Sequence, residues 1–258
     1  MRWGLSISLS EELADPSVIA DVAVTAEANG WDGIFVWDHL WNHTREPFAD
    51  PWITLAAVAV ATERVVVGTM VTPLPRHRVQ LVAQAATTLD RLAGGRVVLA
   101  LGLGVDSYGE YSLFDEPAAD DKARGAALDA GIDVLVPMLE GGPVPQLGGR
   151  VTTAAGARAP RVPIWVAGVT RYTAGPRRVA RHGLDGLALV GDDEWAPATV
   201  GSALAAGGLA PGSLDVALVG GTHPDPAALE AAGATWCIPE ILPGASAADA
   251  VSRAATPP

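Results

Sequence analysis

Short apolar runs return about eight times along this chain, each followed by a longer amphipathic segment. The runs are Leu5–Leu9, Gly33–Trp37, Val65–Val71, Val97–Leu103, Pro163–Ala167, Gly186–Val190, Asp215–Val219 and Thr235–Ile238. Each is too short, and too rich in apolar or β-branched residues, to prefer a helix. Strands that alternate with helical segments build βα units around a parallel sheet, whose strands are buried on both faces and so read as continuous apolar runs. Eight such units predict a TIM-like (β/α)8 barrel, with an open doubly wound sheet as the alternative built from the same pieces. A length of 258 residues fits one barrel domain spanning 1–258, and an apolar fraction of 49% against 18% charged residues supplies its core.

Helix starts are marked chemically. Asp15-Pro16, Asp50-Pro51 and Asp225-Pro226 each place an N-cap carboxylate before a proline that has no N–H to leave unpaired. The first helix carries Val18, Val22, Thr25 and Ala26 on one face and stops at Asn29-Gly30. From Glu140 to Pro163 the chain is rich in Gly and Pro and poor in large apolar residues, which predicts a long loop over one end of the barrel.

A net charge of −12 opposes nucleic acid and anionic membrane surfaces, and no dense basic run offsets it. The N-terminal stretch MRWGLSISLSEELADP lacks the apolar centre of a signal peptide, and no apolar run approaches a membrane span, so a cytoplasmic protein is expected. The single cysteine, Cys237, lies in the apolar run ATWCI and is expected to be a core thiol.

In such a barrel, groups at the C-terminal ends of the strands surround one mouth. The stretch GIFVWDHLW, residues 33–41, ends a strand on Asp38 and His39 between Trp37 and Trp41. There an acid can stay ionised and a histidine can exchange protons near neutral pH; capping and an ordinary loop histidine are the alternatives. After the third strand, Arg76, His77 and Arg78 form a basic cluster that could hold an anion. LGLGV brings Gly102 and Gly104 to the end of the fourth strand, where backbone can approach a flat group. After the fifth, AGVTRYTAGPRRVAR puts Arg171, Arg177 and Arg178 near a helix N-terminus, which suits a phosphate as well as a solvated loop. Eight tryptophans exceed the three phenylalanines and three tyrosines, and Trp37, Trp41 and Trp52 could wall a planar ring at the mouth. No Walker motif, GxSxG elbow or His/Cys metal spacing is present.

The stretches AEANGWDGIFVWDHL, DPWITLAAVAVATERVVVGTMVTPLPRHR, QAATTLDRLAGGRVVLALGLG and VPIWVAG with GPRRVARHGLDG together resemble the luciferase-like flavin- and deazaflavin-dependent oxidoreductases. They run in order from Leu5 to Val190; beyond that, the last two strands rest on periodicity. The resemblance implies a TIM-like barrel that binds FMN or the deazaflavin coenzyme F(420) at its mouth. It implies a hydride transfer between F(420) and a small organic substrate, or an FMN-dependent monooxygenase reaction with oxygen; the trimmed loops leave a third reading, a barrel that kept the cofactor pocket as a binding module and lost turnover. It implies that Asp38 contacts the ring and that His39 is the proton donor or hydrogen-bond partner beside the hydride-transfer centre. It further implies a non-proline cis peptide at Met70–Val71, ring contact by Leu103 and Gly104, and a phosphate site at Ala167, Gly168, Val169, Ala174, Gly175, Pro176 and Arg177. Trp37, Trp41, His43 and Arg76 are the expected substrate contacts, and a homodimer the expected assembly. Leu139–Pro163 looks shorter than the family's usual covering segment, and the region after the sixth strand lacks its long insertion.

Overall fold

Alternation along the strands divides the core into two layers. Leu5, Ile7, Ile34, Val36, Val67, Leu99, Leu101, Ile164, Val166, Leu187, Leu189, Val216 and Leu218 point outward to the helices, whereas Phe35, Met70, Val98, Ala100, Trp165, Ala188, Ala217, Val219, Trp236 and Ile238 point inward. Both sets are buried, which is why the strands lack a polar alternate. The computed structural model describes residues 1–116, 120–144, 148–150, 160–191 and 194–256. In chain order these hold β1 (Arg2–Ile7), α1 (Pro16–Ala28), β2 (Gly33–Val36), α2 (Pro51–Ala61), β3 (Val66–Pro73), α3 (Val79–Leu92), β4 (Val97–Gly102), α4 (Asp121–Glu140), β5 (Ile164–Val169), α5 (Ala174–His182), β6 (Gly186–Val190), α6 (Pro197–Gly207), β7 (Asp215–Val219), α7 (Pro226–Ala231), β8 (Trp236–Ile238) and α8 (Ala247–Ala255).

Every neighbouring pair from β1 to β8 is parallel, and β8 pairs back onto β1 with Arg2 opposite Trp236 and Trp3 opposite Cys237. The sheet therefore closes, and the open doubly wound alternative is excluded. Pro239 interrupts β8, but the pairing resumes in the same register at Glu240–Ile241 opposite Ser6–Ile7. The closed end opposite the mouth is plugged by three aromatic rings, Phe35, Trp165 and Trp236, with centroids 5.7–5.8 Å apart. Glycine makes room for them: a Cβ on Gly186 would lie 2.2 Å from Trp165 Cδ1, and one on Gly33 would lie 2.8 Å from Phe35 Cε2.

All three Asp-Pro starts form as expected, with Asp15, Asp50 and Asp225 accepting N–H groups of Ser17, Ile53 and Ala228. The first helix is rotated from the expected face. Ile19, Val22, Ala23 and Ala26 are buried while Val18 and Thr25 sit at the margin, because the stripe i, i+3, i+4, i+7 starts one residue later than the sequence reading placed it. The loop expected from Glu140 to Pro163 contains a short antiparallel pair, Pro143–Val144 with Gly149–Arg150; residues 145–147 and 151–159 lie outside the described residues. Its two ends are tied by Arg161, which pairs with Glu140 and with Asp185 ahead of β6. The segment thus joins the foot of α4 to the start of β5, at the end of the barrel away from the mouth. No helix among the described residues is long and apolar enough to cross a membrane.

Candidate active site

The neighbouring strands β2, β3 and β4 run side by side, so the loops that leave their C-terminal ends meet. Asp38 and His39 follow β2, Arg76 ends a short turn (Leu74–Arg76) after β3, and Glu110 comes from the loop after β4. That last loop is folded by Asp106, whose Oδ1 accepts the N–H groups of Tyr111 at 2.8 Å and Ser112 at 3.0 Å. These groups form one continuous chain of charge. Arg76 donates to the Asp38 carboxylate and to the Glu110 carboxylate, and its Nη2 reaches the Asp38 carbonyl at 2.8 Å. His77 Nε2 lies 2.9 Å from Asp38 Oδ2, and His39 Nδ1 lies 3.0 Å from Glu110 Oε1. Leu40 N–H donates to the same Glu110 oxygen at 2.7 Å.

The interior members are dry and the ends are not: the side chains of Arg76, Asp38 and Glu110 are at most 6% exposed, against 25% for His39 and 28% for His77. One guanidinium between two carboxylates leaves one negative charge in excess, shared between the two carboxylates and hydrogen-bonded to an imidazole at each end. Burial pushes the Glu110 carboxyl up, but the hydrogen bond and charge of His39, the Leu40 N–H and Arg76 outweigh it and hold the group below the usual glutamate range. Tyr111 is fully buried, which pushes its phenol up to about 12; it remains a neutral donor and gives a 2.7 Å hydrogen bond to Leu103 O.

The structure gives several of the expected residues protein partners. Arg76, expected at the substrate, has its guanidinium engaged by the two carboxylates. Both oxygens of Asp38 are engaged, which makes it the anchor of the β2 end. His39 keeps a contact surface: its ring is walled by Trp37, Phe48 and Tyr108 at centroid distances of 6.0, 5.6 and 6.3 Å. Trp37 Nε1 donates to Ser6 Oγ at 2.9 Å, and Trp41 Nε1 to Tyr108 O at 2.8 Å, which ties the β2 and β4 loops together. His43 is exposed in a turn organised by Asn42. Trp52, in the first turn of α2, is partly buried against the outer core layer.

The cis peptide at Met70–Val71 is present, within a register shift of β3 against β4. A Cβ on Gly102 would lie 2.4 Å from Val71 Cγ2, so glycine leaves room for the Val71 side chain. Gly104 has φ +69 and fits under Tyr111 and Pro73, which fill the space a side chain would take. On β5, Ala167 and Val169 are inward alternates of Trp165 and are only half-buried, so with Val71 and Val190 they form a small, apolar floor. Gly168 and Gly175 are in near-contact, with Gly168 Cα 2.5 Å from a Cβ built on Gly175, which draws the α5 N-terminus onto the β5 end. The N–H groups of Ala174 and Gly175 open that helix beside Pro176. Of the arginines expected there, Arg178 instead bonds Asp129 on α4 at 2.6 and 3.2 Å, whereas Arg171 and Arg177 stay exposed.

Carboxylates at the mouth escaped the sequence reading, Glu110 among them. Glu240, the inward partner of Ser6 beyond β8, overhangs Gly220, and desolvation raises its carboxyl above the usual range. Among the described residues no group of His, Cys, Asp and Glu could hold a metal ion.

Comparison with known proteins gives a consistent picture. The profile described as luciferase-like monooxygenase matches residues 3–250, well past Val190 where the matching stretches seen in the sequence end. An F(420)-dependent glucose-6-phosphate dehydrogenase of Nakamurella multipartita is 44% identical over 118 residues, 44% of this chain and 33% of that protein. One of Beutenbergia cavernae is 42% identical over 140 residues, 52% of this chain and 40% of that protein. The matched stretches thus span well under half the length of these curated relatives. Among solved structures, an F(420)-dependent secondary alcohol dehydrogenase holding an F(420)-acetone adduct superposes with a TM-score of 0.71 at 18% identity, over 99% of each chain. The F(420)-dependent tetrahydromethanopterin reductase of Methanopyrus kandleri gives 0.64 at 19% identity, over 85% of this chain and 65% of that one.

Proposed function

This chain belongs to the luciferase-like monooxygenase family, and from that premise we propose that it is an F(420)-dependent oxidoreductase that moves a hydride between the deazaflavin and a small organic substrate. The observation that carries the reading is His39, half-open at the mouth and held through Nδ1 by a buried carboxylate, with no partner on Nε2 among the described residues. The names of the curated relatives support F(420) over FMN.

The residues present suit such a group. Val71, Ala167, Val169 and Val190 offer a small apolar floor for a flat ring, and the α5 N-terminus at Ala174 and Gly175, with Arg177 beside it, offers N–H donors and positive charge for an anionic tail. When bound, the deazaflavin would supply the hydride acceptor or donor. The chain's own part is narrower. Asp38 and Arg76 hold the β2 end, Trp37 and the floor shape the mouth, and His39 Nε2 takes or gives the proton that accompanies the hydride.

Equilibrium titration with F(420) and FMN, followed by turnover with glucose 6-phosphate and 2-propanol, tests the reading. His39→Ala is expected to lower the rate about 10²–10⁴-fold while cofactor affinity changes far less. Turnover that requires FMN and consumes oxygen would make the protein a monooxygenase instead, and tight cofactor binding with no turnover over a broad substrate panel would make it a binding module. A second copy is the proposed partner. α2 is apolar on every side, with Ile53 65% and Val60 72% exposed, a surface suited to an isologous contact. Light scattering on the purified chain decides between dimer and monomer.

A further inference from the structure

We propose that Glu110 is a positioning residue that fixes the imidazole of His39 as its Nδ1–H tautomer, so that Nε2 is the atom that exchanges a proton at the mouth. This rests on the reading of His39 as the proton donor or acceptor of the reaction.

Three donors converge on the Glu110 carboxylate. Arg76 Nη1 takes Oε2, while Oε1 receives both Leu40 N–H at 2.7 Å and His39 Nδ1 at 3.0 Å. The side chain is fully buried, so water supplies no competing donor. An ionised carboxylate carries no hydrogen, and a bond between it and a ring nitrogen requires the hydrogen to sit on the nitrogen. The charges around Glu110 keep it in that ionised form. Which nitrogen of a neutral imidazole bears the hydrogen is set by the bond the other one lacks or makes. With Nδ1 committed, the lone pair falls on Nε2, which has no partner among the described residues.

The ring is fixed as well as the proton. Leu40 follows His39 in the chain, so one oxygen clamps the backbone of the turn and the ring it carries. Trp37, Phe48 and Tyr108 stand around the ring edge-on and oppose its rotation. The controlling group therefore comes from the loop after β4 and the controlled one from the end of β2. The same division of labour, a buried carboxylate that orients a histidine without itself giving up a proton, serves in hydrolytic triads.

The test is a long-range ¹H–¹⁵N correlation spectrum of ¹⁵N-histidine-labelled protein without cofactor, with His39 assigned by its loss in His39→Gln and the pH set above its titration range. The native chain is expected to show a protonated Nδ1 and an unprotonated Nε2. In Glu110→Ala the signals move toward a mixture of tautomers. A native spectrum with the hydrogen on Nε2 overturns the proposal, as does a Glu110→Ala spectrum identical to the native one. If Glu110→Ala does not fold, the native spectrum decides. Turnover with F(420) is read separately: Glu110→Ala is expected to lose about 10²–10⁴-fold in kcat, the range of general acid–base help, with cofactor affinity within a few fold. A native Nδ1–H tautomer combined with an unimpaired His39→Gln enzyme would refute the role of His39 and leave Glu110's control of its tautomer standing.

Discussion

Arg76→Met keeps most of the side chain's length and removes its charge, and so isolates what the buried cation does. In the native chain that cation satisfies Asp38, 4% exposed, and Glu110, fully buried. Breaking one buried ion pair by deleting a partner costs about 3–5 kcal/mol, because the remaining charge has lost its compensation. Two pairs share Arg76, so their losses do not simply add. Either carboxylate can also limit the damage by binding a proton. A deficit of about 3–5 kcal/mol at neutral pH is therefore expected, and at roughly 2–4 °C per kcal/mol for a chain of this size it lowers Tm by about 6–20 °C. The sign of its pH dependence follows from linkage. Without Arg76 the folded state binds protons on these carboxylates more tightly than the unfolded chain, so the variant recovers relative stability as pH falls. Thermal unfolding followed by circular dichroism at about pH 7 and pH 5 measures both effects. A variant that melts within about 2 °C of the native chain at pH 7, or a deficit that does not narrow at pH 5, refutes the argument.

Gly186→Ala would place a Cβ 2.2 Å from Trp165 Cδ1, and overpacking of this kind costs about 1–3 kcal/mol; a urea midpoint equal to that of the native chain would mean that the barrel end is not filled as described. Cys237 is buried and its thiol is pushed up to about 12, so Ellman's reagent should leave the native protein unmodified at neutral pH and titrate one thiol after unfolding; fast native labelling contradicts its burial. Glu110 and Asp129 are held below their ordinary ranges in the folded chain, Glu110 by His39, Leu40 N–H and Arg76 and Asp129 by Arg178 and His182, each against the cost of burial. Their stabilisation is present above the ordinary carboxylate pKa and lost as pH falls through the lowered folded values, so the urea midpoint should hold from about pH 7 to 5 and decline below about 4. A midpoint that rises below pH 4 would reverse this sign.

The barrel was legible because a strand buried on both faces leaves the same trace wherever it occurs, and the eight apolar runs carry it. Boundaries moved where one strand outlasts its apolar stretch: β3 continues through Thr72 and Pro73, past the Val71 at which the run of apolar residues was read to end. The position of His39 was legible because an acid and a histidine directly follow a buried strand. The network around it was not. Arg76 meets Asp38 and Glu110 across separations of 38 and 34 residues, and a cation whose partners lie that far along the chain looks like a vacant anion site. Glu110 sits in an irregular loop between Tyr108 and Tyr111, with no periodicity to indicate that it points inward; an acid flanked by aromatic residues after a barrel strand was the available signal. Arg178 shows the same limitation, since Asp129 reaches it from the preceding helix. Tryptophan was ambiguous for another reason: Trp165 and Trp236 plug the barrel while Trp37 and Trp41 border the mouth, and composition alone counts them alike.

The claim at the centre of this account is that the floor beside His39 and the α5 N-terminus form one deazaflavin site, and fluorescence titration of F(420) into the purified chain, run beside Gly175→Val, tests it most directly. The account predicts saturable binding of one F(420) per chain, strongly weakened in the variant, where the added side chain collides with Gly168. Unsaturable F(420) binding, or saturable binding that Gly175→Val leaves unchanged, would contradict it.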